Sequence, residues 1–172
     1  MNSGSGCKPA DLPKELTRAA WEPYLNATFH QCFDQLGTDV AKFGVVVRKQ
    51  SNVATLDCSD LKLGCVVIVS DDILTAGLDP GAVAFVLGHE AAHIRLRHPD
   101  FAMMGGIEVE FAADSLAAES IAQGACYGAR ATDWVMSRYV KTIGAEDKTT
   151  EAMWYRRIAL LGQCGLGATR SR

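Results

Sequence analysis

Two histidines and a glutamate stand at a spacing that suits metal chemistry: His89-Glu90-Ala91-Ala92-His93. Histidines four apart on a helix lie about one turn apart on one face, so both imidazoles can reach a single ion. Glu90 follows the first histidine and projects toward the side of the ion left open. The pattern binds zinc and uses the carboxylate as general base. A chain with four histidines meets it by chance roughly once in 250, so the surroundings must decide. The bland alternative is a helix with two satisfied histidines. Phe85, Val86 and Leu87 make the preceding turn apolar, and Gly88, Ala91 and Ala92 flank the polar residues. Two imidazoles and a carboxylate on such a helix are costly unless paired or metal-bound.

A catalytic zinc takes three protein ligands and keeps one open position. His98 follows His93 by five residues. On a continuing helix it would point about 140° away, so the geometry disfavours it as third ligand. Glu110-Phe111-Ala112-Ala113-Asp114 offers a better one. Glu110 and Asp114 share a helical face, and that face continues into apolar Ala113, Ala117 and Ile121. Glu110 supplies a carboxylate oxygen, and Asp114, one turn on, can accept the free ring N–H of a ligating histidine. The bland reading is two solvated acids on a surface helix. Both motifs together arise by chance in about one chain in several thousand.

These residues need elements to hold them. Asp79 is a good N-cap, Pro80 suits the first helical position and Pro99 stops the helix at His98. Further helices are expected over 107–123, 133–143 and 151–161, with Gly124, Gly144 and Gly162 as stops. Upstream, a helix is expected over 11–36, capped by Asp11, with Pro13 in its first turn, Pro23 kinking or splitting it and Gly37 ending it. Between the helices, Val45-Val46-Val47 and Val66-Val67-Ile68-Val69 read as strands, with antiparallel pairing expected and a third short strand near 53–56. The strand 66–70 is expected to offer an edge on which an extended peptide binds through its main chain. The fold class is α+β: a small antiparallel or mixed sheet packed on the metal-binding helix, with further helices C-terminal.

Length fits one domain, at 172 residues with 48% apolar content. Residues 1–10 read as a flexible segment or expression scar, and 11–172 as a single zinc-binding domain. A formal charge of −3, with no basic block, excludes a nucleic-acid surface. No apolar run approaches the ~20 residues of a spanning helix, and the N-terminus is not a signal peptide. The cysteines, six in number, form no CxxC pair. They lean toward disulfides and a periplasmic or secreted chain, with buried thiols in a cytoplasmic one as the alternative. Cys58 and Cys65 can flank a turn and pair locally.

Val86-Leu87-Gly88-His89-Glu90-Ala91-Ala92-His93 with Arg97-His98-Pro99 resembles the active-site helix of gluzincin metallopeptidases, the group that includes CAAX prenyl proteases and HtpX-like proteases. Glu110 to Asp114 matches that family's ExxAD element. Val66 to Leu74 is similar to the strand and turn before the helix, Asn52-Val53-Ala54 to its Asn-Ala element, and Arg157-Ile158-Ala159-Leu160-Leu161 to its closing segment. The resemblance covers roughly 40–162. It implies a zincin-like fold, one Zn2+ per chain held by His89, His93 and Glu110, Glu90 as general base and Asp114 orienting a ligand. It implies an endopeptidase acting on peptides or unfolded proteins through a metal-activated water. The membrane spans of many members are absent, as is the His-Pro pair before the closing arginine. Tyr155, Arg156 and Arg157 are therefore the candidates for stabilising the transition state. Two other readings compete: a zincin with His98 as third ligand, and a zinc-stabilised, non-catalytic binding or chaperone-like module. An intact Glu90 argues against the second, because a structural site needs no such carboxylate.

Overall fold

A computed structural model describes residues 6–36, 43–50, 52–59, 64–98 and 107–143. The first helix, α1, runs Arg18–Phe33, capped by Thr17, whose hydroxyl accepts from the Ala20 N–H. It therefore starts later than Asp11. Pro23 lies within it without splitting it. A mid-helix proline costs about 3 kcal/mol, and the fully buried face of Trp21, Leu25, Phe29 and Phe33 outweighs that. A 3-10 turn, Asp34–Leu36, follows. Gly37 lies outside the described residues.

Three strands follow: β1 (Phe43–Arg48), β2 (Ala54–Asp57) and β3 (Cys65–Ser70). The third strand expected near 53–56 is therefore present, but the pairing departs from expectation. The order is β1-β3-β2, with β1 parallel to β3 and only β2 antiparallel. The chain leaves β1 at Arg48, passes the end of β3 and returns on its other side. Ser70 N–H donates to the Val53 carbonyl at 2.8 Å, and Gln50 Nε2 donates to that of Ile68 at 2.9 Å. These bonds replace the hairpin that direct β1–β3 antiparallel pairing would require.

β3 is thus central, so the expectation that 66–70 forms a peptide-binding edge is overturned. The outer edge of β1 is covered by α1. Asn26 Oδ1 accepts from the Val45 N–H at 2.9 Å, its Nδ2 donates to the Val45 carbonyl at 2.7 Å, and Glu22 Oε1 accepts from the Val47 N–H at 2.8 Å. Among the described residues the outer edge of β2 has no strand partner.

After a 3-10 turn at Asp71–Thr75 come α2 (Pro80–Arg95), α3 (Ile107–Ser120) and α4 (Gly124–Ile143). α2 is buried around most of its circumference, packed on α1, α3 and α4. Val45, Val47, Val67 and Val69 share one apolar cluster with its Val83, Phe85 and Leu87. The fold is α+β, a small mixed sheet with four α-helices among the described residues. α4 begins nine residues before the expected 133. The expected stop at Gly124 is not where α3 ends: α3 stops at Ser120, and Gly124 is instead the first residue of α4, where a Cβ would overlap the Ala118 carbonyl. The helix expected over 151–161 lies outside the described residues.

Cys7, within the segment expected to be flexible, is tied down. It is disulfide-bonded to Cys32 and exchanges backbone hydrogen bonds with Ser120 and Ala122. Cys58 is bonded to Cys65, closing the β2–β3 connection, and Cys126 is disulfide-bonded as well. Among the described residues no cysteine is free, and no helix is long and apolar enough to cross a membrane.

Candidate metal centre

Asp79 sets the start of α2 by accepting the Ala82 N–H at 2.9 Å, with Pro80 in the first position as expected. From that start, His89 and His93 fall on one face of the last turns. Gly88, one residue before, allows α2 to approach its neighbours. A Cβ there would come within 2.8 Å of the Phe33 ring and 3.3 Å of the Ala117 Cβ. α3 meets α2 through Ala113 and Ala117, both wholly buried, and so brings Glu110 and Asp114 up to the histidines.

The resulting geometry is tight. His89 Nε2 lies 3.0 Å from His93 Nε2 and 3.1 Å from Glu110 Oε2, and His93 Nε2 lies 3.6 Å from Glu110 Oε1. Ligand atoms on a tetrahedral zinc with bonds of 2.0–2.1 Å sit about 3.3 Å apart. The His89–His93 separation is close to that value, the two Glu110 contacts fall on different oxygens of its carboxylate, and one ligand atom from each residue lies within 4.8 Å of the others, so His89, His93 and Glu110 could hold a zinc ion. On the opposite side of its ring, His89 Nδ1 lies 2.8 Å from Asp114 Oδ1. Asp114 is 3% exposed, the burial expected of a carboxylate that orients a ligand. Glu90 is also buried, at 8% exposure, and its charge acts on His89.

Without a metal the cluster retains a proton. Burial pulls the His89 pKa down, but hydrogen bonds to Asp114 and Glu110 and the charges of Asp114 and Glu90 more than reverse this and push it up to about 10. Burial and the neighbouring His89 charge hold His93 down at about 4. One charged and one neutral imidazole face two carboxylates, and a cation at the three ligand atoms would replace that proton.

His98 departs from expectation. α2 ends at Arg95, short of His98. The Leu96 N–H bonds to the Ala92 carbonyl at 2.8 Å, and Arg97 turns the chain with φ of 59°. The premise that places His98 about 140° away, a helix continuing to Pro99, therefore fails. His98 lies beside His93, on its Nδ1 side, and the charge of Glu110 acts on it. Tyr155, Arg156 and Arg157 lie outside the described residues.

Sequence reasoning missed Arg138, on α4. Its guanidinium donates to Asp72 at 2.7 Å, to the Gln50 carbonyl at 2.8 Å and to Ser70 Oγ at 3.0 Å. It thereby clamps the β1–β2 crossing to the turn that leads into α2. Nothing in the local sequence signals this contact, which spans 88 residues.

An α+β domain in which a buried helix presents two imidazoles and a following helix presents a carboxylate offers a donor set suited to a metal ion. The profile of Peptidase family M48 matches residues 19–158, and the chain belongs to that family. Membership makes it a metal-dependent peptidase, whose substrates are peptides. No curated protein and no solved structure matches the chain.

Proposed function

We propose that the chain is a zinc-dependent endopeptidase with His89, His93 and Glu110 as ligands and Glu90 as general base. The observation that carries this reading is the approach of the two imidazole nitrogens and the Glu110 carboxylate to within 3.0–3.6 Å of one another, beside a buried Glu90, in a chain of this family. When bound, zinc supplies a Lewis acid that polarises the scissile carbonyl and acidifies water. Glu90 takes the proton of the attacking water and returns it to the leaving amine. Asp114 holds the His89 ring through Nδ1, which fixes its tautomer and keeps Nε2 toward the ion. Glu110 contributes the negative charge that completes a two-His, one-carboxylate set. Charge developing on the carbonyl oxygen needs a donor, which we assign to the segment of Tyr155, Arg156 and Arg157.

β2 is the strand available to an extended peptide. It packs on α2, and its outer edge carries no strand among the described residues. Main-chain pairing there makes recognition tolerant of substrate sequence, which suits peptides and unfolded proteins. The disulfides support an oxidising compartment, periplasmic or extracellular.

Comparison of wild type with Glu90→Gln tests the reading. Both proteins should carry about one zinc. Cleavage of a peptide pool should fall by roughly 10²–10⁴-fold in the variant, the usual cost of losing a general base. A variant that cleaves as fast as wild type, or one that loses its zinc, contradicts the assignment.

A further inference from the structure

The second candidate ligand has a close neighbour that the proposed mechanism leaves unused. Beyond the end of α2 at Arg95, the left-handed backbone of Arg97 returns the chain toward the helix. His98 Nδ1 then lies 2.6 Å from His93 Nδ1, with ring centroids 4.9 Å apart and planes at 60°. Two nitrogens at that distance share a proton, so one ring donates and the other accepts.

The other side of His93 decides which. Its Nε2 faces His89 Nε2 at 3.0 Å and Glu110 at 3.6 Å. To bind a cation, Nε2 must present a lone pair, so the proton of neutral His93 resides on Nδ1. His93 is then the donor and His98 the acceptor, with His98's own proton on Nε2. His89 makes the corresponding bond to Asp114 at 2.8 Å.

We propose that His98 is a positioning residue: by accepting the Nδ1–H of His93 it fixes that ring's tautomer and plane, so that Nε2 faces the metal. The proposal rests on the His89, His93 and Glu110 assignment. It gives each ligating imidazole its own partner, Asp114 from α3 for His89 and His98 from the turn after α2 for His93. His98 acts through His93, from the nitrogen that does not face the ion, and so is distinct from a third ligand.

Zinc affinity of wild type, His98→Leu and His98→Asn, measured by competition with a chelator, tests this. Leucine fills the space without an acceptor, whereas the asparagine Oδ1 can take the place of the imidazole Nδ1. His98→Leu should bind roughly 10–100-fold more weakly, the usual cost of removing a ligand's partner, and His98→Asn should recover most of that loss. A leucine variant that binds like wild type, or an asparagine variant no better than leucine, overturns the proposal. Wild type that takes up no zinc instead refutes the metal site itself.

Should His98→Leu fail to fold, 15N spectra of zinc-loaded wild type decide. They should show the His93 proton on Nδ1 and a scalar coupling between the two Nδ1 nuclei. A metal-bound His98 nitrogen, or a His93 Nδ1 without its proton, overturns the assignment.

Discussion

In the proposed site, zinc would have to displace a proton from His89. With the His89 pKa pushed up to about 10 and that of His93 held at about 4, the metal-free site carries one imidazolium across the neutral range. Each zinc bound should therefore release one proton from this pair. Affinity should then rise tenfold per pH unit, which is about 100-fold, or about 2.7 kcal/mol, from pH 6 to pH 8. Competition against a chelator of known zinc affinity, corrected for the chelator's own protonation, reads the slope. Calorimetry in two buffers of different ionisation enthalpy counts the protons. Asp114→Asn removes a hydrogen bond and a charge that hold the proton on His89. His89 should then titrate nearer its usual 6.5, and the slope should flatten above neutral pH. Affinity that is constant from pH 6 to pH 8, or release of two protons per zinc, would refute this account of the site.

The same proton stabilises the metal-free fold. His89 is raised above 6.5 in the folded chain, so its contribution is complete below pH 6.5 and is lost as pH climbs toward 10. The thermal midpoint of zinc-free protein should fall between pH 7 and pH 9, and a midpoint that rises contradicts the assignment. Glu110→Ala should bring zinc content from about one per chain toward none by elemental analysis, and full retention would remove Glu110 from the ligand set. Asn26→Ala strips two hydrogen bonds from the Val45 main chain and should cost about 1–3 kcal/mol in urea denaturation, with zinc affinity unchanged. A neutral effect on stability would mean that water replaces the asparagine along β1.

The site was legible where spacing alone determines geometry. A helix of known period puts His89 beside His93, and Glu110 one turn from Asp114, whatever surrounds them. The distances agree for all four residues. His98 was misread because its position depends on where α2 stops. Pro99 marks the last possible residue of the helix, not the actual one, and a left-handed Arg97 carries no sequence signal comparable to glycine. The valine runs revealed strands but not their order. Two strands with a turn-rich connection suggest a hairpin, and the β1–β3–β2 arrangement arises from tertiary contacts, among them Gln50 to Ile68 and Arg138 to Gln50. Gly124 reads in the sequence as the end of a helix, but α3 stops at Ser120 and Gly124 opens α4, packed against the Ala118 backbone; a glycine required by a close tertiary approach looks the same in sequence as one that ends a helix.

Stepwise addition of zinc to metal-free wild type, with the rate of peptide hydrolysis followed at each step, tests the central claim most directly. Activity should rise from baseline in proportion to added zinc and break at about one equivalent per chain, the capacity of a single His89, His93 and Glu110 site. Hydrolysis that proceeds undiminished in metal-free protein, or that keeps rising in proportion well beyond one equivalent, would contradict it.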